Sequence, residues 1–386
     1  FFGRRFGSKA LKIGASLIIF IFLIPYTASL YNGLSRLFAM AFSVDYTVCI
    51  ILMALFTGIY VIAGGYMATA INDFIQGIIM LIGIIVIIAA VLNTQGGFTS
   101  AMNALANVSD PAVSASPGAF TSLFGPDPLG LLGVVILTSL GTWGLPQMVQ
   151  KFYAIKSESA VKKGMIISTV FAMVVSGGCY FLGGFGRLFA DQVNIAADGY
   201  DAIIPTMLSG LSDLVIALAV ILVLSASMST LSSLVMASSS TLTIDFLKDN
   251  IVKDMSEKKQ LRSIRVLIVV FIFISALIAI IQYKGNITFI AQLMGISWGA
   301  LAGAFLAPFL YGLYWKRTSP AACAACFLFG CGTMVLNMCA PQLFPAFLQS
   351  PINCGAFVML AGFLIVPLVS LFGKVKDEAA VEEAFS

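Results

Sequence analysis

An all-α polytopic membrane protein is what this sequence predicts, on three observations. Apolar residues make up 60% of the 386 and charged residues only 10%, where soluble domains carry roughly 25% charged residues. Apolar stretches of bilayer-spanning length recur between short polar breaks. A period-two alternation is missing, which sets aside a transmembrane barrel.

A soluble chain could not hide that much apolar surface, so lipid covers the remainder. The net charge of +4 therefore says nothing for nucleic acid as a partner. Histidine is absent, which removes the commonest general base, the usual zinc ligand and the Ser-His-Asp arrangement together. With few acids inside the apolar segments as well, the chain reads as no enzyme, and no cofactor is expected. Cys323 and Cys326 form a CxxC, but in an Ala/Gly-rich apolar segment that reads as close helix packing.

The spacing predicts ten helices, near 10–41, 46–64, 67–93, 129–152, 164–189, 211–247, 262–283, 287–315, 319–340 and 351–373. Turn signals punctuate them at Gly64-Gly65, Gly96-Gly97, Gly125-Pro126-Asp127-Pro128 and Ser319-Pro320. With the N-terminus inside, every Lys and Arg except Arg36, Arg187 and Lys284 falls in a cytoplasmic segment, and the long 94–128 connection has none. Such a bias requires the count of crossings to be right in the middle of the chain. The opening Phe-Phe-Gly-Arg-Arg, without an initiator methionine or a signal peptide, reads as the interior of a longer polypeptide.

Polar groups inside apolar helices point to function, because a central aspartate costs roughly 2.5–3.5 kcal/mol on insertion scales. In the sixth helix Ala226, Ser229, Thr230 and Ser233 follow i, i+3, i+4, i+7 and share a face, with Ser232 on the next strip. Hydroxyl and carbonyl oxygens suit a small alkali cation. The plainer reading is helix packing, with Ser and Thr bonded back to their own helix. Asp73, roughly 10 Å into the third helix, is either an interfacial carboxylate at a helix start or the partner of that hydroxyl face. Depth opposes the second reading, since Ser233 lies roughly 20 Å from Leu247, unless the sixth helix projects past the membrane. In the fourth helix Gly144 and Pro146 weaken the ladder, and Trp143, Gln147 and Gln150 would face a solute there. Tyr26, Thr27, Ser29, Tyr31 and Asn32 make a polar patch on the first.

At these residues the chain resembles the sodium:solute symporter family, which includes the bacterial proline and pantothenate permeases. The carrying motifs are Tyr26-x-Ala-Ser, Arg36-Leu-Phe, Asn72-Asp73-x-x-Gln76, Ser227-Met-Ser-Thr-Leu-Ser and Gly312-Leu-Tyr-Trp-Lys-Arg. They fall in order over about residues 1–320. The Asn72–Gly83 run and Gly144-Leu-Pro146 are similar to the pantothenate branch. The sialic acid branch carries an arginine in the first span, and none stands near Tyr26.

The resemblance implies a leucine-transporter-like bundle of inverted five-helix repeats in one transmembrane domain, 1–386, whose first two core helices are missing. Residues 1–93 would hold core helices three to five, 129–315 helices six to ten, and 319–373 two accessory helices. It implies a sodium-coupled symporter importing a pantothenate-like carboxylate or a proline-like amino acid; a sodium-independent facilitator of the same fold is the alternative. Ala226, Ser229 and Thr230 would supply half of one sodium site, and Ser229, Ser232, Ser233 and Asp73 a second. Tyr26, Thr27, Asn32, Trp143, Pro146 and Gln147 would line the solute path. The implied partners are solute, Na+ and lipid. The implied setting is a monomer in the cell membrane with residue 1 on the cytoplasmic side.

Overall fold

Helix starts in this chain are marked by short polar side chains that satisfy the first free N–H groups. In the computed structural model, Ser8 opens α1 (Lys9–Phe42), accepting from the Leu11 N–H at 3.3 Å. Asp45 accepts from Thr47 and Val48 N–H at 2.9 and 3.1 Å and opens a helical run, Tyr46–Thr94. Asp127, Ser157 and Ser319 do the same ahead of later helices. The structure describes residues 1–109, 113, 114, 116, 118–152, 155, 157–252, 254–285, 290–373 and 381, without the side chains of 65–69, 196 and 197. Lys156, Lys253, Lys374 and Lys376, which contribute to the charge bias, lie outside these residues.

The run from Tyr46 holds two spans, α2 (Tyr46–Gly64) and α3 (Ala70–Thr94). On a straight helix, residues 60 and 72 would stand about 18 Å apart. The Asn72 amide nevertheless donates to the Tyr60 hydroxyl at 3.0 Å, so the run is bent between them. The fourth span is broken as its glycine and proline require. Its halves, α4a (Pro128–Gly144) and α4b (Pro146–Phe152), meet at 50°. Then follow α5 (Glu158–Gly184), α6 (Asp213–Thr241), α7 (Glu257–Gly285), α8 (Ile290–Tyr314), α9 (Pro320–Cys339) and α10 (Pro351–Phe372). Among the described residues nine helices can each cross a membrane, and the broken pair makes ten. α6 runs on beyond its expected end in a π-helical segment, Leu242–Ile251.

Burial sorts these helices into centre and rim. In the apolar window of α8, 83% of residues are buried, against 6% in that of α5. Polar alternation is unnecessary in either: lipid meets the rim, and neighbouring helices meet the centre. α8 packs on α10 and α9 through glycines. A Cβ on Gly299 would lie 2.7 Å from the Gly355 Cα, and one on Gly330 would lie 2.7 Å from the Ala304 N. Buried Cys323 and Cys326 sit in this seam region. Arg5, which the charge bias counts only as an inside cation, is 4% exposed. Its Nε donates to the Gly312 carbonyl at 2.8 Å and an Nη to Trp315 at 3.3 Å, which satisfies free carbonyls at the α8 C-terminus.

Candidate functional site: the α3–α6 seam and the α4 break

The α6 hydroxyls are anchored to their own helix. Ser229 and Thr230 donate to the Ala226 carbonyl at 3.1 and 3.0 Å, and Ser232 and Ser233 each donate to the Ser229 carbonyl at 3.0 Å. A hydroxyl that gives its hydrogen to the helix keeps its lone pairs for whatever lies beside it. The bonding pattern expected of packing residues thus presents oxygens outward. The Ala226 carbonyl, in contrast, is engaged by two hydroxyls.

The direction of that face follows from one contact. Gly83 of α3 lies against Leu222 of α6, where a Cβ would come within 2.7 Å of the leucine Cδ1. Leu222, Ala226, Ser229, Thr230 and Ser233 stand at i, i+4, i+7, i+8 and i+11, one stripe. On α3, Asp73, Gln76, Met80 and Gly83 stand at i, i+3, i+7 and i+10, also one stripe. Ten residues back from Gly83 along α3, which reach Asp73, and ten or eleven forward from Leu222 along α6, which reach Ser232 and Ser233, each cover about 15 Å. Gly77, one turn from Asp73, lies against Phe171 of α5. The helix that carries the hydroxyls continues to Ile251. Asp73 Oδ1 and Gln76 Oε1 are both buried without a hydrogen-bond partner, and Lys151 is the cation whose field reaches Asp73.

The break in α4 opens on a cavity of about 920 Å³ at the end of the bundle where α1 begins. Trp143, Pro146 and Gln150 line it, together with Lys9, Lys12 and Asp245. Lys12 pairs with Asp245 at 3.2 Å and with Asp249. Four of the residues expected along a solute path are not in this lining. Tyr26 is buried edge-on against Trp298, ring centroids 5.6 Å apart. The Thr27 hydroxyl donates to Leu23 at 3.0 Å. Asn32 donates to Gln282 and accepts from the Tyr46 hydroxyl. Gln147 is 3% exposed, with neither amide atom partnered. Polarity alone cannot tell a lining side chain from one that bonds to a helix: Tyr26 and Asn32 are accounted for by neighbouring helices and Thr27 by its own.

At the opposite end a second polar cluster ties α1 to α8. Arg36 donates to the Asp198 carbonyl at 2.9 Å and stands 4.0 Å from the Asp201 carboxylate. It lies over Tyr46 and Tyr283, whose rings stack 3.6 Å apart. Asp201 also accepts the Ile290 N–H at 3.0 Å, where α8 begins. Burial raises the Asp201 pKa, against the opposing pull of that N–H and of Arg36.

The model of the sodium:solute symporter family matches residues 1–330. The chain belongs to that family. It is a family of transporters, not of enzymes. This family member is 31% identical over 332 residues to a sodium/proline symporter of Staphylococcus aureus, covering 83% of this chain. It is equally similar, over 329 residues, to that of strain MSSA476. It spans 61% of the length of these curated relatives. A Na+-coupled sialic acid symporter in a substrate-bound outward-open state superposes with a TM-score of 0.67 at 19% identity, covering 95% of this chain and 76% of that one. The fold is accordingly the leucine-transporter-like, all-helical, multi-pass bundle.

Reading the sequence singled out Ser232 but left Ser239 and Thr243 unremarked. Ser232, Ser239 and Thr243, at i, i+7 and i+11, form a second buried α6 strip, and the hydroxyls of Ser239 and Thr243 have no partner. That spacing was available in the sequence. The Arg36–Asp201 approach was not, because 165 residues separate the two.

Proposed function

We propose that the intact protein is a sodium-coupled symporter that takes up a small organic solute across the cell membrane, with residue 1 on the cytoplasmic side. The observation that supports this reading is that α3 packs on α6, with lone pairs free on the hydroxyls of Ser229, Thr230, Ser232 and Ser233 and unpartnered oxygens on Asp73 and Gln76. Oxygens with little charge density hold a hard monovalent cation and still release it. One carboxylate supplies the balancing charge. The Ala226 carbonyl joins the set once Ser229 or Thr230 turns away from it.

Sodium entering down a tenfold gradient and ~100 mV releases roughly 1.4 and 2.3 kcal/mol, enough to concentrate a solute several hundredfold. Binding at the seam favours one arrangement of the bundle, and rocking of the helices about it carries the solute to the cavity at the α4 break. The names of the relatives support a proline-like amino acid, and the Asn72–Gly83 run supports a pantothenate-like carboxylate. Both solutes carry a carboxylate, which the broken α4 and the Gln150 amide in the cavity lining suit. Uptake of labelled proline and pantothenate by the intact protein in proteoliposomes tests the reading. One of them should accumulate only with an inward sodium gradient. Accumulation that persists when the gradient is collapsed would make the protein a facilitator and overturn the coupling.

A further inference from the structure

Between α2 and α7 the bundle surface carries a groove of about 720 Å³ whose lining is wholly apolar. Small residues hollow it out: Ala54 and Gly58 on α2 and Ala276 on α7. Its walls run from Ile51 to Ala63 and from Val269 to Ile280, about 18 Å and 17 Å along the helix axes. That is close to the depth of one leaflet of a hydrocarbon core of about 30 Å. Helix packing leaves Leu55, Ile59, Val269 and Phe273 each more than half exposed.

What sits at the inner end of the groove decides its occupant. Val269, Ile272, Phe273, Ala276 and Ile280 make one stripe of α7, and the same stripe continued toward the helix start reaches Arg265, Arg262 and Lys258, at i−4, i−7 and i−11 from Val269. The nearest of the three is about 6 Å below the last apolar position. The two arginines are exposed, and none of the three takes part in the ion pairs among the described residues. A slot of acyl-chain dimensions thus ends in a row of unpaired cations at headgroup level on the side where Lys and Arg accumulate.

We infer that this face holds an anionic phospholipid of the cytoplasmic leaflet, one acyl chain in the α2–α7 groove and the phosphate among Lys258, Arg262 and Arg265. A zwitterionic lipid offers the same chain but carries a compensating cation in its headgroup, so charge sets the preference. Steric fit and charge act on separate residues, and each can be removed without the other.

The test uses the intact protein with Phe273→Trp as reporter, in nanodiscs of phosphatidylcholine doped with phosphatidylglycerol brominated on its acyl chains. Quenching should saturate at low phosphatidylglycerol content and need much more brominated phosphatidylcholine. Adding Arg262→Gln and Arg265→Gln should weaken the phosphatidylglycerol response about 25-fold, at roughly fivefold for each cation. Gly58→Leu should abolish the saturable component by filling the slot. If that variant loses its thermal transition, Ala276→Val gives the same readout from a more tolerant position. Equal quenching by the two brominated lipids, or a phosphatidylglycerol preference untouched by the arginine variants, would overturn the assignment.

Discussion

Two seams of this bundle rest on small residues and put them to opposite use. Where α8 meets α9 and α10, glycines bring backbone against backbone: Gly299 lies on Gly355, and Gly330 lies on Gly303 and Ala304. Where α3 meets α6, one glycine, Gly83, lets a leucine in; α6 carries a stripe of hydroxyls, and α3 a carboxylate and an amide with unpartnered oxygens. Without a hydrophobic drive between helices in lipid, close packing is the force that holds the first seam. The second gives up some of that packing to keep polar atoms side by side at a cost. A seam made only for stability would not do so.

The first seam should therefore fail as structure and the second as function. Gly299→Leu forces a side chain into the space of the Gly355 Cα and should destabilise the protein by about 3 kcal/mol, read as loss of monodisperse protein and of a cooperative thermal transition. If Gly299→Leu folds normally, the packing account of α8 is wrong. Ser229→Ala with Thr230→Ala should leave folding within about 1 kcal/mol per lost hydroxyl bond, yet abolish sodium-stimulated uptake in proteoliposomes. Unchanged sodium dependence would erase the distinction between the seams. Asp73→Asn keeps the shape and removes only the charge. Its half-saturating sodium concentration should rise about tenfold, with maximal uptake less affected; a fall in uptake at every sodium concentration, with unchanged half-saturation, would give Asp73 a role in the transport step instead.

How much of this was legible beforehand divides along the same line. Helix positions followed from apolar length and turn residues, and the bend at Gly144-Leu145-Pro146 followed from a missing N–H and ring sterics. The hydroxyl face of α6 followed from period 3.6. These are local properties, and sequence carries them. Nothing local in the sequence announces the surroundings of Tyr26 and Asn32, which come from α7 and α8, at least 250 positions away: Gln282 takes the Asn32 amide and the Trp298 ring meets Tyr26 edge-on. The reach of α6 was underestimated for a related reason. Apolar length predicts where a helix leaves the hydrocarbon, but α6 continues four residues past that expectation, as a π-helix of polar composition.

The comparison sharpens at a second buried carboxylate. Asp73 lacks a partner on one oxygen, whereas Asp201, at the C-terminal end of α1 and the start of α8, has the Ile290 N–H and Arg36. If partners rather than burial governed Asp201, its pKa would lie low; burial wins and raises it. The folded protein then binds this proton more tightly than the unfolded chain does. Between the ordinary carboxylate value of about 4 and the raised folded value, the unfolded state releases its proton first, so stability falls as pH rises through that window and is fully present below it. Asp201→Asn retains an oxygen for the Ile290 N–H and removes the titration, so it should flatten that slope while shifting the neutral-pH unfolding midpoint only slightly. This is the smallest of the expected effects, measurable as thermal midpoints of wild type and variant across acidic pH. A wild-type midpoint that climbs through the window relative to the variant would mean that Arg36 and the helix start outweigh desolvation, and that the Arg36–Asp201 cluster is a strong latch rather than a tolerated charge.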